Sequence, residues 1–463
     1  MNLPEDIILK LSEIVGAKGV LTESTDLAAY SYDGTSSWRG MPDVVVLPAT
    51  TEEVAAVMRL AYDREIPVTV RGAGTNLSGG SIPVAGGIVL CMTRMDRILD
   101  IDAANFTATV EVGVVLNRFN QALSQRDLFF PPDPQSFLAA TIGGCVAENS
   151  GGPYAVKYGI FKHYLLGMQI VLSDGRILSL GGRTVKNVTG YDLPLLLCGS
   201  EGTLAVITQV TLRLLPRPET KQTILAVFNE VTTAGGAVHR IRQSGLIPAK
   251  IELIDNWILR RIEEMCHLGL PVAAEAILLF ELDGNSAAVE KERIEVIRLC
   301  REAGAVDVRP AKDAGEADNF WAARRAGFSA IWGNSPTVLA EDVTVPTDRM
   351  SELIATIQDI SSRHDVPVVI IGHAGDGNLH PCILTDKKNA NHFQRAERVA
   401  TEIFSTALAL GGVISGEHGI GLEKKKFLKQ AMEPGAIELL KSIKRVFDPK
   451  GLLNPGKIWE TGS

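Results

Sequence analysis

Arg71-Gly-Ala-Gly-Thr-Asn-Leu-Ser-Gly-Gly80 follows directly on the strand-like run Val68-Thr-Val70. Upstream, Thr50 and Glu53 fit a capping box, and Val54, Val57, Met58 and Ala61 recur at helical spacing until Ile66-Pro67 ends the helix. Helix, strand and glycine loop in that order present backbone N–H groups at the end of a strand. Gly72, Gly74, Gly79 and Gly80 permit positive φ and close approach, and Thr75, Asn76 and Ser78 add donors. Taken alone, the loop reads equally as a pyrophosphate cradle or as an ordinary turn. It is neither G-x-x-x-x-G-K-[ST] nor a clean G-x-G-x-x-G, which sets P-loop NTPases and ordinary Rossmann folds aside.

Two more glycine regions favour the cradle. Gly143-Gly144 and Gly151-Gly152 flank an apolar stretch in which Asn149 and Ser150 are placed to bond a flat heterocycle, and Gly199-Ser-Glu-Gly-Thr203 precedes a strand. Three such loops suggest a long nucleotide threaded under several backbone turns.

The wider chain sets the frame. At roughly 150 residues per domain, 463 residues give a prior of about three domains. With 46% hydrophobic residues, 22% charged and 44 glycines, disorder and collagen-like repeats are excluded. Lys+Arg 46 against Asp+Glu 54 leaves −8, so nucleic acid is not an expected partner and an anionic substrate needs a local basic clamp. The six cysteines are scattered with no C-x-x-C pair, and read as reduced core residues. Met-Asn-Leu-Pro-Glu-Asp lacks a basic region followed by an apolar run, and no stretch of about 18 apolar residues occurs. A soluble, cytoplasmic protein is expected, with membrane contact only through a partner.

A short amphipathic helix is expected within residues 4–30, a loop from 129 to 152, strands at 167–172, 177–180 and 205–215, and a tight turn at Ser173-Asp-Gly-Arg176. Pro216-Arg-Pro218 marks a boundary. Beyond it strand patterns (222–228, 276–282, 368–371) alternate with longer helices (232–244, 288–303, 349–364), which predicts an α+β domain with an antiparallel sheet and helices on one face. The expected division is 1–218, 219–410, and a helical C-terminal segment 411–463 that completes the first domain.

Gly372-His-Ala-Gly-Asp-Gly-Asn-Leu-His380 carries the chemistry. With Asp376-Gly377 at the tip of a hairpin, His373 faces His380, and directly opposed residues have Cβ atoms about 4.5–5.5 Å apart, near enough for both imidazoles to bind one metal. Glu417-His418 supplies a third ligand and a spare imidazole. This is also a hydrolase's kit; the glycine loops select redox chemistry. In Phe320-Trp-Ala-Ala-Arg-Arg325, helical geometry points Arg324 and Arg325 about 100° apart, so one of them can face a pocket with a fork suited to a carboxylate. An exposed arginine pair is the commoner case.

The segments Pro48-Ala-Thr-Thr-Glu-Glu-Val54, Arg71 to Gly80, Pro132-Asp-Pro134 with Ile142-Gly-Gly144, Gly199-Ser-Glu-Gly-Thr-Leu204, Gly372 to His380, Ser415-Gly-Glu-His-Gly-Ile-Gly421 and Leu453-Asn-Pro-Gly456 span nearly the whole chain in order. With them the sequence resembles the FAD-linked D-2-hydroxy-acid dehydrogenases of the vanillyl-alcohol-oxidase-type flavoprotein superfamily. These include glycolate oxidase large subunits, D-lactate dehydrogenases and D-2-hydroxyglutarate dehydrogenases. The resemblance implies a two-part FAD-binding domain with an antiparallel substrate domain between its parts. It implies FAD contacts from Arg71, Gly72, Ala73, Gly74, Thr75, Asn76, Ser78, Gly79, Pro132, Asp133, Ser136, Gly143, Gly144, Asn149, Ser150, Gly151, Glu201, Gly202, Ile207 and Asn454. Thr75 stands where some superfamily members carry a flavin-linked histidine, which implies non-covalent FAD.

The resemblance further assigns His373, His380 and Glu417 to a divalent metal (Zn, Fe or Mn), His418 to proton abstraction and Arg324 to the substrate carboxylate. Dicarboxylate-specific relatives carry a lysine where this chain has Glu341, which would repel a second carboxylate. A small monocarboxylate, D-lactate or glycolate, is therefore expected. Reduced flavin must pass its electrons to oxygen, a quinone, an iron–sulfur subunit or an electron-transferring flavoprotein, within a homo- or hetero-oligomer. A reductase of the UDP-N-acetylmuramate type would not need the paired histidines, a metallohydrolase would leave the glycine loops idle, and a non-catalytic flavin subunit would have no use for His418.

Overall fold

The computed structural model describes residues 3–35 and 37–459. It separates into two compact units: one built from residues up to 151, 160–217 and from 417 onward, the other from 152–159 and 218–416. The C-terminal return thus starts at 417 rather than the expected 411, because Val413 N bonds Thr344 O (2.9 Å) and Gly416 N bonds Asp342 Oδ2 (2.9 Å) within the second unit. The strap 152–159 joins the same unit through Tyr154 on Glu281, and Lys157 and Tyr158 on Asp283. Among the described residues no helix is long and apolar enough to cross a membrane.

In the first unit, Val44–Val46, Ile88–Cys91 and Val68–Arg71 lie parallel, with the helix Thr51–Arg64 as crossover and Val20–Leu21 antiparallel at the edge. Thr50 Oγ1 accepts from Glu53 N (3.1 Å), but the Glu53 carboxylate reaches Ala49 N (2.7 Å), one residue short of a reciprocal capping box. The chain's return adds to this sheet: Val68 N donates to Leu452 O, and Asn454 N to Val68 O, both at 2.8 Å. A second, five-stranded antiparallel sheet runs in the order Ile98–Asp102, Thr107–Glu111, Val206–Arg213, Leu165–Val171, Ile177–Gly181. The expected loop 129–152 contains a helix, Ile142–Glu148, capped by Thr141 Oγ1 accepting from Gly144 N (3.3 Å) and closed by Asn149 at φ 54°. Its glycine pair, a poor helix former, hid it.

The second unit holds an eight-stranded antiparallel sheet ordered Asp307–Pro310, Thr220–Phe228, Ala276–Gly284, Lys250–Asp255, Val368–His373, Asn378–Thr385, Thr337–Ala340, with Val343–Thr344 also on the 378–385 strand. Helices cover both faces, not one. Leu225, Ile254, Leu279 and Ile371 pack on Asn256–Cys266 and Ala314–Trp332. Their neighbours Ile224, Leu253, Leu278 and Phe280, pointing oppositely, are equally buried beneath the helices at 231–243, 286–302, 350–364 and 390–409. The continuous apolar runs of the strands, with little alternation, are what double-sided cover requires.

The histidine hairpin differs from expectation in register. Ile371 opposes His380 and His373 opposes Asn378, with a four-residue turn Ala374 to Gly377. Gly377 takes φ 81°, and Gly375 packs so closely on Val156 that a side chain there would displace it. The shift is two residues, and an even shift preserves the face. Both histidines therefore still point to the same side, toward the helix Ala314–Trp332.

Candidate active site

In the first unit the 71–80 loop is braced from within. Arg71 Nη1 donates to Tyr32 O (2.7 Å) and Ser81 Oγ (3.2 Å), and its guanidinium fills the space beside Gly74 (φ 71°) where any Cβ would collide. Asn76 Nδ2 donates to Asp33 Oδ2 (2.7 Å) while its Oδ1 accepts from Ser81 (2.9 Å). Expected as cofactor contacts, Arg71 and Asn76 spend these polar atoms on protein. A Cβ on Gly72 would strike the Thr141 hydroxyl that caps the 142–148 helix, so the two loops meet there. Ala73 is exposed, and Thr75 and Gly74 are partly so. Ser78 is fully buried, and its Oγ has no hydrogen-bond partner among the described residues.

Glu201 and Asn454, expected in the FAD-lining stretches, also brace the chain. The Glu201 carboxylate accepts from Ile420 N (2.8 Å) and Gly421 N (2.7 Å). Asn454 Oδ1 accepts from Val70 N (3.0 Å) and its Nδ2 donates to Glu201 O (2.7 Å), tying strand, glycine turn and C-terminal return together above Gly202. Gly79 lies against Leu422, Gly143 against Val112, and Gly199 against Asn149. The Asn149 Oδ1 accepts from Lys162 N (3.0 Å). Ser150 and Gly151 follow; Pro132 and Ile207 are buried, Asp133, Ser136 and Gly144 partly so.

Two charged residues here left no local signal. Burial, then the carboxylates of Glu201 and Asp33, push the Glu148 carboxyl well above its ordinary range, and its Oε2 is buried without a partner among the described residues. Lys457 donates to Gly80 O (3.1 Å) and Ile82 O (2.5 Å), and burial lowers it to about 8.

In the second unit, His373 and His380 are 4% and 1% exposed, their rings perpendicular with centroids 5.1 Å apart. Phe328, one helical turn after Arg324, packs on His380 at 5.9 Å. Glu252, on the neighbouring strand and 0% exposed, accepts from His373 Nδ1 at 2.9 and 3.0 Å and from Arg324 Nε at 2.5 Å. Burial raises the Glu252 pKa, but His373 and Arg324 outweigh it, so the carboxyl is held below its ordinary value. Arg324, 2% exposed, leaves Nη1 and Nη2 buried without hydrogen-bond partners among the described residues. Asp342 accepts from Asn378 Nδ2 (2.7 Å), Ser415 Oγ (2.8 Å) and Gly416 N (2.9 Å), and stands 3.8 Å from His380 Nδ1.

Glu417 and His418 follow Gly416 directly. Their stretch is anchored at one end by Gly416 on Asp342 and at the other by Ile420 and Gly421 on Glu201. Glu417 is half-buried and His418 buried.

Residues 42–181 match the family described as FAD binding domain, and residues 217–458 that described as FAD linked oxidases, C-terminal domain. The chain belongs to the FAD-linked oxidase family. Glycolate oxidase subunit GlcD of Bacillus subtilis (strain 168) is 39% identical over 457 residues, 99% of this chain and 97% of that one. GlcD of Escherichia coli (strain K12) is 41% identical, with 97% and 90% covered. D-lactate dehydrogenase of Archaeoglobus fulgidus is 37% identical, with 90% and 91% covered. Among solved structures, p-cresol methylhydroxylase with substrate bound aligns at TM-score 0.82 and 18% identity over 99% of this chain and 97% of that one, which shows a shared fold.

This FAD-linked oxidase is an FAD-dependent oxidoreductase. Local sequence did not flag Thr141, Glu148 and Lys457 in the first unit, or Glu252 and Asp342 in the second. Of these only Glu252 left a trace, since Lys250-Ile-Glu-Leu-Ile-Asp255 puts Lys250 and Glu252 on the same face of a strand as Ile254.

Proposed function

We propose that this FAD-linked oxidase oxidises a small D-2-hydroxy acid, D-lactate or glycolate, to the 2-oxo acid. The observation that carries the reading is a buried arginine fork whose Nη nitrogens have no hydrogen-bond partner among the described residues, in the same cluster as two facing buried imidazoles. That set suits a bidentate carboxylate next to a cation.

The first unit fits a bound FAD: Ser78 Oγ and Glu148 Oε2 are orphaned polar atoms beside glycines at which a side chain would collide. The histidine pair fits a divalent ion (Zn, Fe or Mn), because Glu252 engages His373 Nδ1 and so puts the ligating lone pair on Nε2. His373, His380 and Glu417 would hold it. FAD supplies a hydride acceptor for the C2 hydrogen, and the ion a Lewis acid that lowers the pKa of the substrate hydroxyl.

The chain's own residues do the rest. Arg324 receives the substrate carboxylate and sets its orientation. His418 takes the hydroxyl proton as the C2 hydrogen departs. Glu341, half-buried with its N–H on Pro381 O (3.0 Å), disfavours a second substrate carboxylate. The two electrons then leave to a quinone, an electron-transferring flavoprotein or an iron–sulfur subunit; the name glycolate oxidase subunit borne by relatives supports a protein partner.

His418→Ala should retain FAD yet show no anaerobic flavin reduction with D-lactate or glycolate. Reduction at the wild-type rate would overturn the assignment.

A further inference from the structure

A buried carboxylate in mid-strand is costly unless it is matched by donors. The second unit has three on one face of its sheet, and two of them are explained by lysines. Glu281 is paired with Lys221 at 3.0 Å and Lys250 at 3.8 Å, and Asp283 with Lys157 at 2.6 Å. Glu252 is matched differently; its donors are His373 Nδ1 and Arg324 Nε.

Each of those two donors has a second end turned away from Glu252. An imidazole that donates Nδ1–H to an ionised carboxylate carries its lone pair on Nε2. A guanidinium gripped through Nε keeps its Nη1–Nη2 edge, and here both of those nitrogens are buried with no partner among the described residues. The strand holding Glu252 also pairs with the strand of His373, Leu253 lying opposite Gly372, so the carboxylate is fixed in register with the histidine.

We propose that Glu252 is a positioning residue for both halves of the substrate site at once. It fixes the tautomer that makes His373 Nε2 a metal ligand, and it aims the Nη1–Nη2 edge of Arg324 at a substrate carboxylate. Its charge cancels that of the arginine, so the pair is neutral before an ion and a substrate bind. This rests on the reading of His373 and Arg324 given under the proposed function.

The test uses the FAD-loaded protein carrying Glu252→Gln. A glutamine keeps the volume, but its single carbonyl oxygen cannot serve both donors without turning its amide N–H toward one of them. Bound Mn²⁺ per FAD, measured against graded chelator, should show affinity falling about 10- to 100-fold. Oxalate titrated at saturating Mn²⁺, followed by the flavin visible spectrum, should bind at least roughly tenfold more weakly, the factor for one lost contact of ~1.4 kcal/mol. FAD content should be unchanged. Arg324→Lys should lose oxalate affinity and keep the metal, a separation that general loosening of the core would not produce. Wild-type affinities for both ligands in Glu252→Gln, with His373→Ala losing metal, overturn the inference alone. Stoichiometric metal in His373→Ala overturns the metal reading and with it the histidine half of the inference. If the Gln variant does not accumulate with FAD, Glu252→Asp, which retracts the same charge by one methylene, is put through the same two titrations: weakened binding of both ligands supports the inference, and wild-type affinities for both overturn it.

Discussion

Arg324→Lys removes the fork while keeping the charge. In the wild type Nε is committed to Glu252 at 2.5 Å, and Nη1 and Nη2 have no hydrogen-bond partner among the described residues. A lysine ammonium can satisfy Glu252 and preserve electroneutrality, but from the same backbone position it has neither the reach nor the geometry to bond both oxygens of a carboxylate as well. Two charge-assisted hydrogen bonds are lost, each about 1.5–3 kcal/mol. The sum, about 3–6 kcal/mol, corresponds to a fall in kcat/KM of roughly two to four powers of ten. Because Glu252 stays paired, the folded protein should lose little stability, unlike a variant that strands a buried charge at a cost of about 3–5 kcal/mol. The assay is anaerobic stopped-flow reduction of the flavin across a range of D-lactate and glycolate concentrations, with FAD content and thermal unfolding recorded on the same samples. A fall of less than about threefold, with FAD retained, would refute the idea that the unpartnered Nη edge receives the substrate.

Two other outcomes follow from single residues. Glu341→Lys should raise kcat/KM for D-2-hydroxyglutarate relative to D-lactate by roughly tenfold or more, since a like-charge contact becomes an attractive one; an unchanged ratio in paired turnover assays would clear Glu341 of any role in specificity. Asp255 is raised to about 7, first by burial, although it caps the helix that follows it and accepts from Ile370 N. A carboxyl whose folded pKa lies above its unfolded value stabilises the fold fully below about 4 and loses that contribution as pH rises through about 7. Chemical denaturation of wild type and Asp255→Asn at several pH values should therefore show the wild type losing about 4 kcal/mol relative to the variant between pH 4 and 7.5, whereas a flat difference would show that Asp255 is ordinary.

The sequence was most legible where backbone chemistry is local. Glycines at 72, 74 and 79 announce close approach or positive φ without reference to any distant residue, whereas Gly143 and Gly144 lie in a helix that a glycine pair disguises. His373 and His380 share a face despite a register two residues from the expected one, because side-chain direction in a strand repeats every two residues. What was not legible depends on partners remote in sequence. That Arg71, Asn76, Glu201 and Asn454 also brace the fold is not visible in a linear reading, since their partners are Tyr32, Asp33, Ile420 and Val70. Glu252 and Asp342 lie in strands or connections with no motif around them, and acquire meaning only through Arg324, 72 residues away, and Gly416, 74 residues away. The second layer of helices is legible in the unbroken apolar strands, which require cover on both faces, and the expectation of one covered face overlooks it.

The central claim, a metal-assisted oxidation of a small 2-hydroxy acid by this chain's flavin, is tested most directly by mixing the FAD-loaded protein anaerobically with D-lactate and with glycolate, before and after exhaustive chelation. The flavin should bleach with at least one of the two acids, lose that response when metal is removed, and regain it when Mn²⁺ or Zn²⁺ is returned. No bleaching with either acid, or bleaching undiminished in the metal-free protein, would contradict it.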